Sequence, residues 1–195
     1  MNITINNTGK AELFGLLFQH VRLFTEHVNV TFDKEKMFMQ SMDSARVSVF
    51  ELSLPATWFD SYEHTGASAI TLGIPATMLF KILNTRDKSQ DTEIIYITDD
   101  DKLLINFSSN NASVFNKRFE LPLIDLDCEL MAIPETESEA EFSIDSAIFS
   151  NLINQLKIFG DTIEIQCTED KIILHSISIE AGKMVVDINV DDLTE

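Results

Sequence analysis

The side chains with the means to do chemistry are few, and their spacing builds no reactive group. The two cysteines, Cys128 and Cys167, form no CxxC pair and join no Cys/His cluster, so neither a disulfide framework nor a structural zinc site is expected. That usage fits a reducing compartment. Cys167 closes an alternating run in which Ile163 and Ile165 share its face, which predicts a buried structural thiol rather than a nucleophile. His20, His27, His64 and His175 have no carboxylate or cysteine at ligand spacing and read as surface or partly buried polar residues. Asp99, Asp100 and Asp101 lack the spacing and the downstream Glu of a calcium loop, and predict a solvated turn. The six glycines form no phosphate-cradling loop. The expectation is a protein that is not an enzyme, with no metal and no cofactor.

What the chain does supply is a core. Hydrophobic residues make up 45% and charged residues 24% of 195 positions, a balance that packs and lies far from the composition of disorder. No basic n-region precedes an apolar run at the start and no stretch approaches a membrane span, so the protein is expected to be soluble, not exported and not membrane-bound. Fourteen basic against thirty-two acidic residues give a formal charge of −18, a field that as a whole repels nucleic acid. Any DNA contact must be local, geometrically enforced, or absent.

The elements repeat. Sliding the sequence by 135 positions aligns Glu12 to Asp43 with Ala147 to Ser178 over thirty-two residues without a gap. Phe14, Leu17, Phe24, Lys36 and Ser41 recur as Phe149, Leu152, Phe159, Lys171 and Ser176. Apolar character is kept at Leu13 and Ile148, Val21 and Leu156, Leu23 and Ile158, Val28 and Ile163, Val30 and Ile165, and Met37 and Ile172. Two copies of one supersecondary unit follow. Each opens with an amphipathic helix, Ala11 to Phe24 or Ser146 to Phe159. Each continues into two alternating strands around a polar turn, His27 to Phe32 with Met37 to Gln40, and Ile163 to Cys167 with Ile172 to His175. A looser third unit lies between them: a helix from Pro75 to Asn84, with Pro75 in its first turn, then strands Thr92 to Thr98 and Lys102 to Phe107 around the Asp turn.

Pro122, Pro134 and the acid-rich run Ile124 to Glu129 interrupt this pattern. The expected division is a first domain at 1–120, a connector at 121–139 and the beginning of a second domain at 140–195.

Several segments resemble the proliferating cell nuclear antigen family of DNA sliding clamps. Gln40-Ser41-Met42-Asp43-Ser44-Ala45-Arg46-Val47-Ser48 is similar to the family's QSMDSSHVS, and Phe59-Asp60-Ser61-Tyr62 to its FDTY. Lys81-Ile82-Leu83 resembles its SKIL helix, and Leu126 to Glu135 its connector DLDVEQLGIPE. In the second copy Phe159-Gly160-Asp161, with Ile163 and Cys167, resembles IGDAVVISC.

The resemblance implies an α+β fold, the DNA-clamp or processivity fold, with repeated helix-plus-strand units, antiparallel sheets outside and helices lining a ring. Here the second domain is incomplete, because the chain stops about where the family begins its last unit. Implied partners are encircled double-stranded DNA without sequence preference, DNA polymerase and other proteins carrying a clamp-binding peptide, and a clamp loader. The implied assembly is a homotrimer working in the nucleus or in a viral replication compartment. A clamp-like interaction or checkpoint protein that never encircles DNA is the alternative.

Site residues carry over position by position. Arg22 and Lys157 occupy equivalent places in the two copies, and together with Lys81 they are the cations expected to face DNA. Gly15, Leu16, Asn84, Asn151 and Asn154 stand where the family has further cations, which implies weaker contact. Met42, Arg46, Val47, Val49, Met131, Ile133 and Pro134 correspond to the partner-peptide pocket. Arg46 replaces a histidine of that pocket, and Ser138 an aromatic. The subunit interface maps to two edge strands, Ala112 to Leu121 with Phe115, Lys117, Arg118 and Phe119, and Lys183 to Val190 with Met184, Val186, Asp187 and Ile188. Lys117 and Arg118 are expected to meet Asp187, Asp191 and Asp192. Glu169 replaces the lysine that accepts ubiquitin-type modifiers in the best-known members, so the resemblance carries no such modification to this chain.

Overall fold

The computed structural model describes residues 1–43, 45–127, 130–133 and 137–193, with Asp192 described by its backbone alone. Cys128, Pro134 and the Asp192 side chain, all singled out above, therefore lie outside the described residues. The chain forms two compact units, Met1–Ala132 and Ile133–Glu195.

Unit 1 runs β1 (Asn2–Ile5), α1 (Thr8–Phe24), β2 (His27–Phe32), β3 (Lys36–Met42), β4 (Val49–Pro55), a 3-10 turn (Ala56–Trp58), β5 (Ser61–Glu63), β6 (Ile70–Pro75), α2 (Ala76–Leu83), β7 (Asp91–Ile95), β8 (Lys102–Ser108) and β9 (Lys117–Pro122). The strands form two antiparallel sheets, in the orders β5-β1-β7-β8-β9 and β4-β3-β2-β6. Asn7 starts α1 by accepting the Lys10 amide on its side-chain oxygen, which satisfies one of the donors every helix start leaves open. Ala11, Phe14, Phe18 and Val21, at three- and four-residue spacing, bury the helix face.

The strand order contains an internal exchange. Half A is β1-α1-β2-β3-β4 and half B is β6-α2-β7-β8-β9. The leading strand of each half pairs in the sheet of the other, β1 with β7 and β6 with β2. α1 lies against β1 and β7, and α2 against β2, β6 and β9. Val28 and Val30 of β2 are paired with Ile74 and Leu72 of β6, and all four are buried. The looser third unit read in the sequence is thus half B, interlocked with half A, whereas the gapless repeat relates half A to unit 2.

Unit 2 consists of α3 (Ser146–Leu156), β10 (Glu164–Cys167), β11 (Lys171–Ser178), β12 (Gly182–Asn189) and a 3-10 turn (Val190–Asp192). Asp145 caps α3 by accepting the amides of Ala147 and Ile148. The sheet order is β10-β11-β12. Its buried apolar residues are Leu156, Ile172 and Leu174, flanked by half-buried Phe149, Leu152, Ile163, Met184, Val186 and Ile188.

The α+β reading with antiparallel sheets holds, and several sequence expectations are corrected in detail. The second-copy helix ends at Leu156 rather than Phe159, where 157–159 turn. Pro75 is the N-cap of α2 and the last residue of β6, not a first-turn residue. The strand expected from Ala112 begins only at Lys117, because Asn111 and Asn116 side chains accept the Ser113 and Ser109 amides and hold the preceding chain in a turn. Phe115 consequently lies in that loop, 85% exposed, rather than on the strand's apolar face. Val190 falls in the terminal 3-10 turn rather than in β12. Cys167 is exposed, not buried, because β10 is an edge strand whose face is left open among the described residues, Ile165 being 49% exposed as well.

Candidate functional site: connector groove, helix cations and sheet edges

Three hydrogen-bonded ties, one between backbones and two from side chains, hold Ile124, Leu126 and Met131 against the four-stranded sheet. Ile124 N donates to Gly73 O of β6 at 2.9 Å. Asn29 Nδ2 of β2 donates to Leu126 O at 3.1 Å. At β3 the Gln40 carboxamide pairs with one peptide unit in both senses, receiving the Met131 amide at 2.7 Å and donating to Met131 O at 3.0 Å. Gln40 Nε2 also reaches Glu51 Oε1 of β4 at 2.8 Å. Its buried amide is fully occupied, as a buried polar group must be. A Cβ on Gly73 would lie 2.0 Å from Ile124 O, so the approach at that tie requires glycine.

The strap encloses a pocket of about 350 Å³, lined by Thr25, His27, Val28, Asn29, Gln40, Ser41, Met42, Leu126, Leu130 and Met131. Of the expected pocket residues, the structure brings Met42 and Met131 together here. Val49 pairs with Met42 across β3 and β4 and is 38% exposed. Arg46 and Val47 stand on the loop that joins those strands, with Val47 83% exposed. Ile133 belongs to unit 2 and is half exposed. Asn29, Gln40, Leu126 and Leu130 were missed, since no local pattern reveals a partner roughly ninety residues away in sequence.

The loop carrying Arg46 and Val47 is built around the Asp43 carboxylate. Its oxygens accept the Val47 and Ser48 amides, each at 2.8 Å, and the Ala45 amide at 3.3 Å. Arg46 adopts a left-handed φ of 58°, a conformation costly for a side chain with a Cβ and held here by the Arg46 amide donating to Asp43 O. The Ser48 amide first, and then that of Val47, hold the Asp43 carboxyl below its ordinary value of 3.8. A depressed carboxylate stabilises the fold above the unfolded value and loses that contribution as pH falls through the folded one, so the loop keeps this support throughout the neutral range.

The expected DNA-facing cations have different environments. Arg22, in the last turn of α1, stacks its guanidinium 4.2 Å from the ring centroid of Phe80 on α2, and its Nε is buried without a partner. Such a contact contributes about 0.5–2 kcal/mol and ties the cation to the helix pair. Lys81, next to Phe80 on α2, is exposed. Lys157 caps the end of α3 in unit 2 and is exposed. The surface of the helix pair is less polar than the spacing suggests, for Leu13, Leu16, Leu23 and Met78 are all about half exposed or more.

The expected interface strands are both sheet edges: β9 closes the five-stranded sheet and β12 the three-stranded one. On β9, Phe119 is half-buried and Lys117 Nζ is engaged within unit 1 by Asp87 Oδ2 at 2.9 Å and by Thr85 O. Arg118 is exposed and forms no ion pair among the described residues. On β12, Met184, Val186 and Ile188 face inward, while Asp187 pairs with Lys171 at 2.9 Å. No group of His, Cys, Asp and Glu that could hold a metal occurs among the described residues. No helix among them is long and apolar enough to cross a membrane.

Comparison with known proteins agrees with this geometry. The family model described as proliferating cell nuclear antigen, N-terminal domain, matches residues 6–130. A probable DNA polymerase sliding clamp 2 of Paramecium bursaria Chlorella virus 1 is 26% identical over 182 residues, covering 93% of this chain and 64% of that protein. A DNA polymerase sliding clamp of Methanobrevibacter smithii is 28% identical over 153 residues, covering 78% of this chain and 59% of that one. The chain therefore spans about six-tenths of the length of these two relatives. The crystal structure of PCNA from Thermococcus kodakaraensis superposes with a TM-score of 0.83 at 18% identity, covering 100% of this chain and 75% of the other, a likeness of fold. The internal repeat, the interlocked halves and the family match over most of unit 1 lead to one conclusion: the chain belongs to the proliferating cell nuclear antigen family.

Proposed function

We propose that the chain is a sliding-clamp subunit, a processivity factor and docking platform in DNA replication and repair that performs no chemistry itself. The observation that carries this reading is the family match over residues 6–130, joined to the survival of β9 and β12 as open sheet edges. Edge-to-edge addition between subunits satisfies both rows of backbone groups, and a heterologous contact of this kind closes into a ring. A ring held on DNA by topology tolerates a formal charge of −18, because retention does not depend on tight binding. Polymerase and other partners dock through a short peptide laid into the strapped groove, and a clamp loader opens the ring; the site of action is the nucleus or a viral replication compartment. The domain plan is a first clamp domain at 1–120, a connector at 121–139 and the first part of a second clamp domain at 140–195.

The DNA contact is tested by neutralising Arg22, Lys81 and Lys157 together. Each phosphate contact releases counterions, so association with duplex should weaken for every sequence, and the slope of log K against log salt should flatten by about 0.9 per lost contact. Because Arg22 also packs on Phe80, the Lys81/Lys157 double variant carries the purely electrostatic part. An unchanged salt slope in that double variant would place these lysines away from DNA.

Peptide docking is tested with Met42→Ala/Met131→Ala, two side chains that line the groove. Truncating two apolar anchors of a groove removes roughly 1.5–3 kcal/mol of binding, so fluorescence anisotropy with a clamp-binding peptide should report at least a tenfold loss. Equal affinity in the double variant and the parent would move the pocket elsewhere.

A second reading, a clamp-like protein that binds partners without encircling DNA, is favoured by one observation: the helix pair expected to line the hole exposes Leu13, Leu16 and Leu23, and holds Arg22 against Phe80. Retention after loading on circular but not on linear duplex supports the ring; equal release from both supports this alternative.

A further inference from the structure

The outer side of α1 carries a seam that the fold leaves unused. The helix turns Ala11, Phe14, Phe18 and Val21 toward the core. On its other side stand Leu13, Leu16, His20 and Leu23, all exposed, Leu23 at 77%. Their spacing of three, four and three residues is the a/d pattern of a helix that packs along a second helix. The repeat does not demand it, for α3 has Asn151 and Gln155 where α1 has Leu16 and His20. Nor is it the inner face of an unfinished unit, because both halves of unit 1 are present and each leading strand has its sheet.

Beside the seam, α1 and α2 leave a groove of about 340 Å³, walled by Gly15, Leu16 and Gln19 on one side and by Phe80, Leu83 and Arg86 on the other. A Cβ on Gly15 would meet nothing within 4 Å, so the groove is open at that point. The unpaired charges around it have one sign. Residues 8–24 and 76–88 hold Lys10, Arg22, Lys81, Arg86 and Lys88 against Glu12 and Asp87. Both carboxylates are engaged, Glu12 by Lys88 at 3.5 Å and Asp87 by Lys117 at 2.9 Å, and Lys10 is held by Asp60 at 3.3 Å. Arg86 donates to the carbonyls of Asp87, Lys88 and Gln90, with Glu12, Asp87 and Asp91 acting on it only at a distance. Arg22 is stacked on Phe80 and Lys81 is exposed, and neither forms an ion pair among the described residues. Glu26 lies past the Thr25 cap. The helix pair thus joins a row of leucines to three uncompensated cations, on a chain of formal charge −18.

We propose that this face docks an acidic amphipathic helix of another protein, its apolar a and d side chains on the seam from Leu13 to Leu23 and its carboxylates toward Arg22, Lys81 and Arg86. An apolar stripe beside a groove is how a helical segment is held. The seam rises about 15 Å, which about three turns of a partner helix match. His20 is the polar residue within it, and one polar seam position sets the register of two helices. Charges act over about 8 Å at physiological ionic strength, so the local cations rather than the net charge of the chain govern the flank. Duplex DNA uses those cations and leaves the leucines in water, whereas an acidic helix satisfies both. The two ligands therefore compete for one face. The docking site lies within unit 1 and needs no ring.

The test adds a labelled three-heptad peptide, with leucine at a and d and glutamate on its flanks, to the full chain at an ionic strength of about 0.15 M. The same peptide with lysine flanks is the comparison. The glutamate peptide should bind by fluorescence anisotropy and gain helix by far-ultraviolet circular dichroism, and the lysine peptide should bind at least tenfold more weakly. Leu16→Ala/Leu23→Ala, at two open positions, should lower peptide affinity at least tenfold while thermal stability and duplex affinity stay at the parent's values. Gly15→Glu and Gly15→Lys both enter open space and both favour helix over glycine, so they separate charge from folding. The glutamate variant should bind the acidic peptide at least tenfold more weakly than the lysine variant. Equal affinity for the two peptides, or parent-like peptide binding by Leu16→Ala/Leu23→Ala, overturns the proposal. Loss of duplex affinity in that double variant also overturns it, by assigning the leucines to DNA. So does self-association of the parent that the double variant abolishes, which makes a second copy the occupant. Binding to phosphatidylserine vesicles through the same leucines, with no peptide binding, would make the occupant a lipid surface and overturn it too. Peptide binding that persists where the parent fails to bind duplex supports this site and counts against the clamp reading.

Discussion

Gly73→Ala should displace the connector on the sheet and weaken peptide docking at least tenfold. The added Cβ would fall 2.0 Å from Ile124 O and 3.0 Å from its carbonyl carbon. Both obstacles are backbone, so no side-chain rotation relieves the clash, and either β6 or the connector must move. β6 is a poor candidate, because its register with β2 runs six residue pairs and places Ile74 and Leu72 in the core. The connector moves, and the Ile124 amide loses its acceptor on Gly73. The neighbouring ties, from Asn29 to Leu126 and from Gln40 to Met131, then hold a displaced segment. Overpacking of this kind costs roughly 1–3 kcal/mol, and each lost hydrogen bond adds about 1 kcal/mol. Chemical denaturation should show the destabilisation. Limited proteolysis should open a new cleavage within residues 123–133, and peptide affinity should fall at least tenfold. Wild-type proteolysis and affinity in Gly73→Ala would show that the strap does not shape the groove. Gln40→Ala should move the same readouts in the same direction, since it removes the amide that pairs with Met131 at both ends.

Charge reversal at the β9 edge should convert the assembled protein to smaller species, and the structure identifies the residue to reverse. Lys117 and Arg118 both look available in the sequence, opposite the acidic end of β12. In the fold, Lys117 is committed to Asp87 and Thr85 of its own unit, and Asp187 is committed to Lys171. Arg118 is left as the exposed cation of that edge. Arg118→Glu should therefore raise the subunit dissociation constant of the head-to-tail contact by tenfold or more while leaving unit 1 intact. Lys117→Glu should instead lower the thermal stability of unit 1, because it breaks the tie between β9 and the turn after α2. The wild-type contact should weaken as salt rises, since a rim cation facing a carboxylate-rich edge is screened over about 8 Å at physiological ionic strength. Sedimentation velocity across a salt series measures both effects. A parent protein that never assembles head to tail would remove the ring for this chain, and an Arg118→Glu protein assembling like the parent would place the contact elsewhere.

The periodicity of this sequence determined its elements and their repetition. Alternation at Val28, Val30 and Phe32, and again at Ile163, Ile165 and Cys167, identifies which side chains share a strand face, because the backbone pleat fixes that locally. Helical spacing at Phe14, Phe18 and Val21 does the same for α1, and similarity of short segments pointed to the family. Phe115 shows the limit of local pattern: its spacing suits a strand, but Asn111 and Asn116 supply side-chain acceptors that turn the chain first. Only the tertiary structure decided which faces are covered and which charges are free. Gln40 and Met131 are 91 residues apart, and nothing in either neighbourhood encodes their pairing. Val30 is buried and Ile165 is open, although their local sequences are alike, because burial depends on whether another strand arrives from far along the chain, and that is a property of the packed assembly rather than of the segment.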